Sequence, residues 1–199
     1  MEKTFEIGSF IGEGQDGVVH LLREHTGSVY KRWKPTFLPH LRRQECAYHE
    51  ACFRVLPDGL VPKIHNIITE EGVLRGFTMD FMPGTPIGAL LQAHKAIADP
   101  SFVYQVKGIV EEIWKTAGIA HGDPHLWNLL IDEPHMEHDP EQNCSVLYDG
   151  IIRVIDFGRS SSLPRQHQLD MQRIDQEFAK FHRIRSVPPP ASLSGRIAT

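Results

Sequence analysis

Three cysteines in 199 residues, Cys46, Cys52 and Cys144, are too few and too scattered for a disulfide framework, and they read as reduced thiols in a small core. No apolar run approaches the roughly 20 residues needed to cross a bilayer. The N-terminal stretch MEKTFEIGSF also lacks the apolar segment of a secretory signal. Neither sign of charge dominates: 25 acidic against 21 basic side chains leave a net charge of −4, which argues against a nucleic-acid or membrane partner. No internal repeat is visible. What remains is the composition of an ordinary soluble domain, 41% hydrophobic and 23% charged, of cytoplasmic type and expected as a monomer. Its length suits one domain or two small lobes sharing one function.

The first third alternates in the manner of strands. Ile7 and Phe10-Ile11 lead into the turn Gly12-Glu13-Gly14-Gln15-Asp16-Gly17, and Val18–Leu22 and Ser28–Lys31 follow as further strands. Helix formers run from about His40 to Val55 and end before Pro57-Asp58-Gly59, and Ile64–Thr69 and Val73–Met82 read as a hairpin. After Pro83-Gly84 the period changes. Ile87–Ile97 and Phe102–Ala117 carry helical spacing, the second with a core stripe of Phe102, Val106, Ile109, Val110, Ile113 and Trp114. Leu129–Ile131 and Ile151–Ile155 are short strands flanking a polar stretch, Glu133–Ser145, that reads as a solvated hairpin loop. Residues 168–184 predict a last helix with Leu169, Met171, Ile174, Phe178 and Phe181 inward. The Pro-rich segment 187–199 reads as an extended, flexible tail.

Four short motifs carry chemistry. Gly12-x-Gly14-x-x-Gly17 precedes β-branched residues rather than a helix, so it is a strand–turn–strand hairpin whose backbone N–H groups can approach a triphosphate. Lys31 closes the next strand and could neutralise phosphate charge if a helix carboxylate held it. Glu45 and Glu50 are both candidates, and Glu45 is favoured because Tyr48, Cys52 and Phe53 form an apolar face beside it. His121-Gly122-Asp123 sets Asp123 five residues before Asn128, pairing a proton acceptor with a hard oxygen ligand suited to Mg²⁺. Asp156-Phe157-Gly158 adds a second oxygen ligand at the end of an apolar strand.

In this order the motifs resemble the protein-kinase superfamily over roughly residues 5–182. The resemblance implies an α+β, bilobal kinase-like fold. A β-rich N-lobe (residues 1–82, a five-stranded antiparallel sheet plus one helix) would precede a truncated, mostly helical C-lobe (83–186) and the tail. It implies ATP and Mg²⁺ as cofactors. Gly12, Gly14, Gly17 and Val19 would cover the nucleotide, and Lys31 paired to Glu45 would contact the phosphates. Met79 would be the gatekeeper, with backbone groups of Asp80 and Met82 holding the adenine. Asp123 would be the catalytic base, and Asn128 and Asp156 would hold the metal.

Departures from the ordinary kinase pattern narrow the resemblance. Gly122 replaces an arginine that commonly pairs with a phosphorylated activation loop, and His125 replaces a lysine, giving Gly122-Asp123-x-His125 as in aminoglycoside and choline kinases. Gly-Asp also occurs in the RIO and KEOPS-complex kinases. No Ala-Pro-Glu follows Asp156, and Asp170 matches the aspartate that braces the catalytic loop. The residues Glu133, His135, Glu137, His138 and Asp139 form a possible metal cluster outweighed by the solvated-loop reading, and Arg42-Arg43 reads as exposed charge. Little chain follows Gly158, which implies an open acceptor face. The expectation is therefore a minimal protein serine/threonine kinase resembling bacterial type III effector kinases that phosphorylate the host chaperone HSP90. The alternatives are a small-molecule phosphotransferase and a nucleotide-binding pseudokinase scaffold.

Overall fold

The computed structural model describes residues 6–181 apart from 26 and 142. The expected tail (187–199), the final residues of the expected last helix and Phe5 lie outside the described residues. Strands β1 (Ile7–Glu13), β2 (Gly17–Leu22) and β3 (Ser28–Trp33) form an antiparallel meander, and β4 (Ile64–Glu70) and β5 (Val73–Asp80) form a hairpin. Gly72 takes φ 76° at the tip of that hairpin, a conformation glycine adopts without penalty. The strands assemble in the order β1-β2-β3-β5-β4, the expected five-stranded antiparallel sheet.

Helix α1 (Pro39–Val55) starts with proline in its first turn, where the missing N–H costs nothing, and its C-cap Leu56 immediately precedes Pro57. Its buried residues Arg42, Glu45, Cys46, His49 and Cys52 recur at three- and four-residue spacing along one face. Cys46 joins a small core with Val29, Trp33, Phe37, Phe77 and Met79. Cys52 joins the larger core of the C-terminal half. Burial pushes both thiols up to about 12, so they remain protonated core groups. Arg42 departs from its expected exposure. It is buried, and its guanidinium donates to the carbonyls of Phe37 (2.9 Å), Leu74 (2.6 Å) and Lys34 (3.0 Å). Five N–H donors in one planar group tie the 34–38 connector to Leu74 of β5, while Arg43 stays in solvent.

In the second half, α2 (Ile87–Ala93) is shorter than expected. Lys95 turns into the left-handed region at φ 47°, and β7 (Ile97–Ala98) pairs in parallel with a later strand. Helix α3 (Pro100–Ala117) is closed at both ends. Asp99 accepts the Ser101 N–H at 2.8 Å, and Gly118 ends the helix at φ 66°. The expected stripe buries Phe102, Val106, Val110 and Ile113, whereas Trp114 is half-buried and stacks on His167 at 5.2 Å.

The polar stretch 133–145 is a correction to the expected loop. It continues two eleven-residue strands, β8 (Leu129–Asp139) and β9 (Cys144–Val154), in one antiparallel hairpin. A second sheet follows, of order β6-β8-β9-β7, with β6 being Thr85–Pro86. Leu147 is fully buried and its carbonyl accepts the Asp99 N–H at 2.8 Å, so the hairpin is part of the core. His135, Glu137 and Asp149 pair loosely at its surface, and no group of three or more metal-ligating side chains forms among the described residues. Helix α4 (Pro164–Ala179) buries Asp170, Ile174 and Phe178 at four-residue spacing and leaves Leu169 exposed, against expectation. No helix among the described residues is long and apolar enough to cross a membrane.

If the hairpin belongs to the core, Leu147→Ala should destabilise the protein by about 2–5 kcal/mol. Glu137→Ala, at the exposed end of the same hairpin, should stay within about 0.5 kcal/mol. Urea unfolding of the two variants measures both.

Candidate active site

The first sheet, α1 and the turn after β9 meet at Lys31. Its ammonium lies 2.6 Å from Glu45 Oε1 and 2.6 Å from Asp156 Oδ1, and both Lys31 and Glu45 are buried. Trp33 donates its indole N–H to the other Glu45 oxygen at 2.7 Å. Lys31 and Trp33 stand two apart on β3 and so share a face, a signal that period-two reading could have used. Glu50 instead pairs with exposed Arg54, one turn along α1. Burial alone would strip the charge from Lys31, but Asp156 and Glu45 outweigh it and hold the ammonium above the ordinary lysine range. Burial likewise opposes the charge on Asp156, yet Lys31 and the Gly158 N–H pull its carboxyl down to about 2. Asp156 sits at φ 64°, an uncommon backbone conformation for a residue with a side chain.

The glycine turn joins β1 to β2, with Gly12 opposite Val19 and Lys31 opposite Val19 on the other side. Open space lies where a Cβ at Gly12 or Gly14 would be. At Gly17 a Cβ would press on the Arg32 carbonyl at 2.9 Å. Gly17 is thus required by close strand packing, and Gly12 and Gly14 leave room for a ligand. The tip of the turn is tied to the segment after Asp156, because Arg159 donates to Gln15 and lies 3.6 Å from the Asp16 carboxylate. Met79 is buried in the small core that Val19 also lines. Asp80 gives its N–H to the Lys63 carbonyl at 3.0 Å, and its carboxylate accepts from the Lys63 N–H and faces His65. Met82 is partly exposed just beyond the strand.

Asp123 and Asn128 occupy the loop between α3 and β8, which is braced from three sides. Asp170 accepts the Gly122 N–H at 2.9 Å, as expected for a bracing aspartate, and the Asn128 amide donates to the Asp123 carbonyl at 3.0 Å. His121 is fully buried and contacts the Ile155 carbonyl at 2.9 Å. Burial holds its imidazole below the ordinary range, so it is a neutral packing group. Gly122 takes φ 82°, and a Cβ there would collide with the Arg159 carbonyl. Glycine at this position has a steric cause: the loop and the segment after Asp156 touch backbone to backbone, with Ser160 also donating to the His121 carbonyl at 3.0 Å.

Of two contacts at Asp123, the one to Arg173 had no sequence signal and the one to His125 continues the Gly122-Asp123-x-His125 pattern. Arg173, from α4, lies 2.8 Å from Oδ1, and His125 lies 3.6 Å from Oδ2. A further residue missed in the sequence is His49, four residues after Glu45. Its ring is 5.2 Å from Phe157 and 5.9 Å from Phe77, continuing through Phe157 to His121 at 5.0 Å. These rings, edge-on or tilted to one another, make one chain across the two cores.

The sequence profile of an ABC1 atypical kinase-like domain matches residues 44–184. No curated protein matches the chain in sequence. The crystal structure of the kinase domain of PF14_0431 superposes with a TM-score of 0.54 at 14% identity, covering 79% of this chain and 51% of that one. This chain therefore spans about half the length of that kinase domain, and the likeness is one of fold.

Gly122→Ala should lower the thermal midpoint and disorder the Asp123 loop, because the new Cβ has no space and the backbone angle is strained. Calorimetry with a hydrogen-exchange map of 120–128 reads both effects. His49 gives a pH prediction. Burial lowers its imidazole to about 4 from an ordinary value near 6.5. The unfolded chain therefore binds the proton first as pH falls, and stability present above about pH 6.5 should decline toward pH 4. A pH series of thermal midpoints should be flatter through this window in His49→Leu than in the wild type.

Proposed function

The chain belongs to the ABC1 atypical kinase-like family, and from that premise we propose a Mg-ATP-dependent phosphotransferase that delivers the γ-phosphate to a serine or threonine hydroxyl of a protein. The observation that carries this reading is the bridging of Lys31 between Glu45 and Asp156, with Asp123 on a braced loop beside them. In the reaction the bond from the γ-phosphorus to the β-phosphate oxygen breaks, and ADP leaves with the electron pair. The acceptor oxygen bonds to phosphorus, and its proton passes to Asp123.

The residues present fit both cofactors. Asn128 uses its amide N–H on the Asp123 carbonyl, which leaves its side-chain oxygen for a ligand. Asp156 engages Lys31 and Gly158 through one oxygen and has its second oxygen for the same purpose. These are hard oxygen donors suited to Mg²⁺, which when bound neutralises phosphate charge. The open turn at Gly12 and Gly14 would leave room over the phosphates, and Val19 and Met79 would line the adenine side. The Asp80 N–H is engaged by Lys63, so adenine contacts from the hinge fall to the Asp80 carbonyl and the Met82 backbone.

A protein acceptor is favoured by exposed apolar side chains near the loop, Trp127 within it and Leu163 and Leu169 at the start of α4. The family match gives no support to the narrower effector resemblance, so no target protein is named. A small-molecule acceptor is the second reading, supported by His125 beside Asp123 in Gly122-Asp123-x-His125. A pseudokinase is disfavoured because Lys31, Asp123, Asn128 and Asp156 are all present at the cleft.

Labelled ATP with Mg²⁺ and a cell lysate should give phosphoprotein that falls by about 10²–10⁴ in Asp123→Ala, the usual worth of a general base. It should vanish in Asp156→Ala. Equal labelling by wild type and both variants would falsify the proposal. Labelling of sugars or aminocyclitols without any protein labelling would transfer it to the second reading.

A further inference from the structure

Phosphoryl transfer beside Asp123 faces an electrostatic difficulty beyond the phosphate charge that Mg²⁺ on Asn128 and Asp156 would neutralise. The transferring group is anionic, and it must pass next to a carboxylate. Lys31 is already committed to two carboxylates at 2.6 Å each, so it brings little net positive charge to the acceptor side. His125 is already engaged at both ring nitrogens, with Nδ1 accepting the Trp127 N–H at 3.1 Å and Nε2 3.6 Å from Asp123.

Arg173 is different. Its guanidinium is permanently charged and lies 2.8 Å from Asp123 Oδ1. That oxygen is buried and has no hydrogen bond, so Arg173 meets it as a charge without directing an N–H at it. The side chain is 42% exposed, so the donors not turned to Asp123 are open to solvent beside it. Its placement follows from the fold. Asp170 binds the Gly122 N–H and pins α4 to the loop, and Arg173 stands three residues on, almost one turn along the same helix.

We propose that Arg173 is a catalytic residue for the transferring phosphoryl group: its guanidinium, held on Asp123 in the resting site, turns its free N–H donors onto the equatorial phosphate oxygens as transfer proceeds. This rests on the phosphotransferase reading. Planar N–H pairs match phosphate oxygens in geometry and charge, and an interaction made only as charge redistributes accelerates the reaction rather than tightening substrate binding. The residue changes no bond itself. The proton still goes to Asp123, and the leaving electrons to ADP.

Calorimetric titration of the full chain with ADP and Mg²⁺, with and without aluminium fluoride as a mimic of the transferring group, tests this. In the wild type, aluminium fluoride should tighten ADP binding at least about tenfold, and Arg173→Gln should lose that gain while binding ADP alone within about twofold. Arg173→Lys should keep part of the gain, and its fold and ADP binding should match the wild type. If Arg173→Gln tightens as the wild type does, or loses ADP itself, the proposal falls while the phosphotransferase reading stands. A wild type that binds no nucleotide at all sinks that reading, and this inference with it.

Discussion

Lys31 keeps a positive charge where almost no solvent reaches, and it does so because Glu45 and Asp156 each bring an oxygen to 2.6 Å. Removing an ion from water costs several kcal/mol, so a buried cation persists only when its partners are held with little freedom. Much of the fold supplies that restraint. β3 presents Lys31, the buried face of α1 presents Glu45, and the turn after β9 presents Asp156. Trp33 occupies the remaining Glu45 oxygen, and the Gly158 N–H reaches toward Asp156. Deleting one carboxylate would strand a charge at a cost of about 3–5 kcal/mol, whereas a nucleotide could take over part of the neutralisation. The arrangement is therefore a structural junction, and on the proposed reading it is also where the nucleotide phosphates would bind.

The second constraint is the near contact of two backbones. The loop bearing Asp123 and the segment after Asp156 approach so closely that Gly122 has no room for a side chain. Asp170 from α4 and Ser160 from the opposing segment hold this approach by hydrogen bonds. The same α4 that braces the loop brings Arg173 to the carboxylate, so bracing and electrostatics come from one helix. The chain of rings Phe77, His49, Phe157 and His121 runs alongside and couples the small core to the large one. A neutral histidine takes a place there that an aliphatic side chain could fill, with one ring nitrogen engaged by the Pro62 carbonyl at 2.6 Å.

Local pattern was legible wherever a residue's role depends on its chain neighbours. The first sheet, α1 and α3 follow from alternation, proline and glycine placement and caps. The motif residues around the cleft were readable because their spacing reflects strand and loop lengths. Reading failed where distant segments decide. The 133–145 stretch is polar because most of it is solvent-facing, yet it is strand, since β8 and β9 pair across it and β7 adds to its edge. The same pairing shortened α2. Arg42 looked like surface charge beside Arg43, but backbone carbonyls of three other residues surround it.

Motif order was enough to point to the kinase-like superfamily that the family match supports, because a lysine, a helix carboxylate and two loop acids in that succession suit few folds. Amphipathic spacing was also enough to name Glu45 over Glu50, since it shows which helix face is buried. Folding decided how those groups meet: that Lys31 bridges two carboxylates, that Gly122 is glycine for lack of space, and that Arg173 stands at Asp123. Each of these depends on contacts between residues 14 to 125 positions apart, which no local periodicity encodes. Long-range contact is set by how complementary surfaces pack, and a sequence records it only through the partners that packing selects.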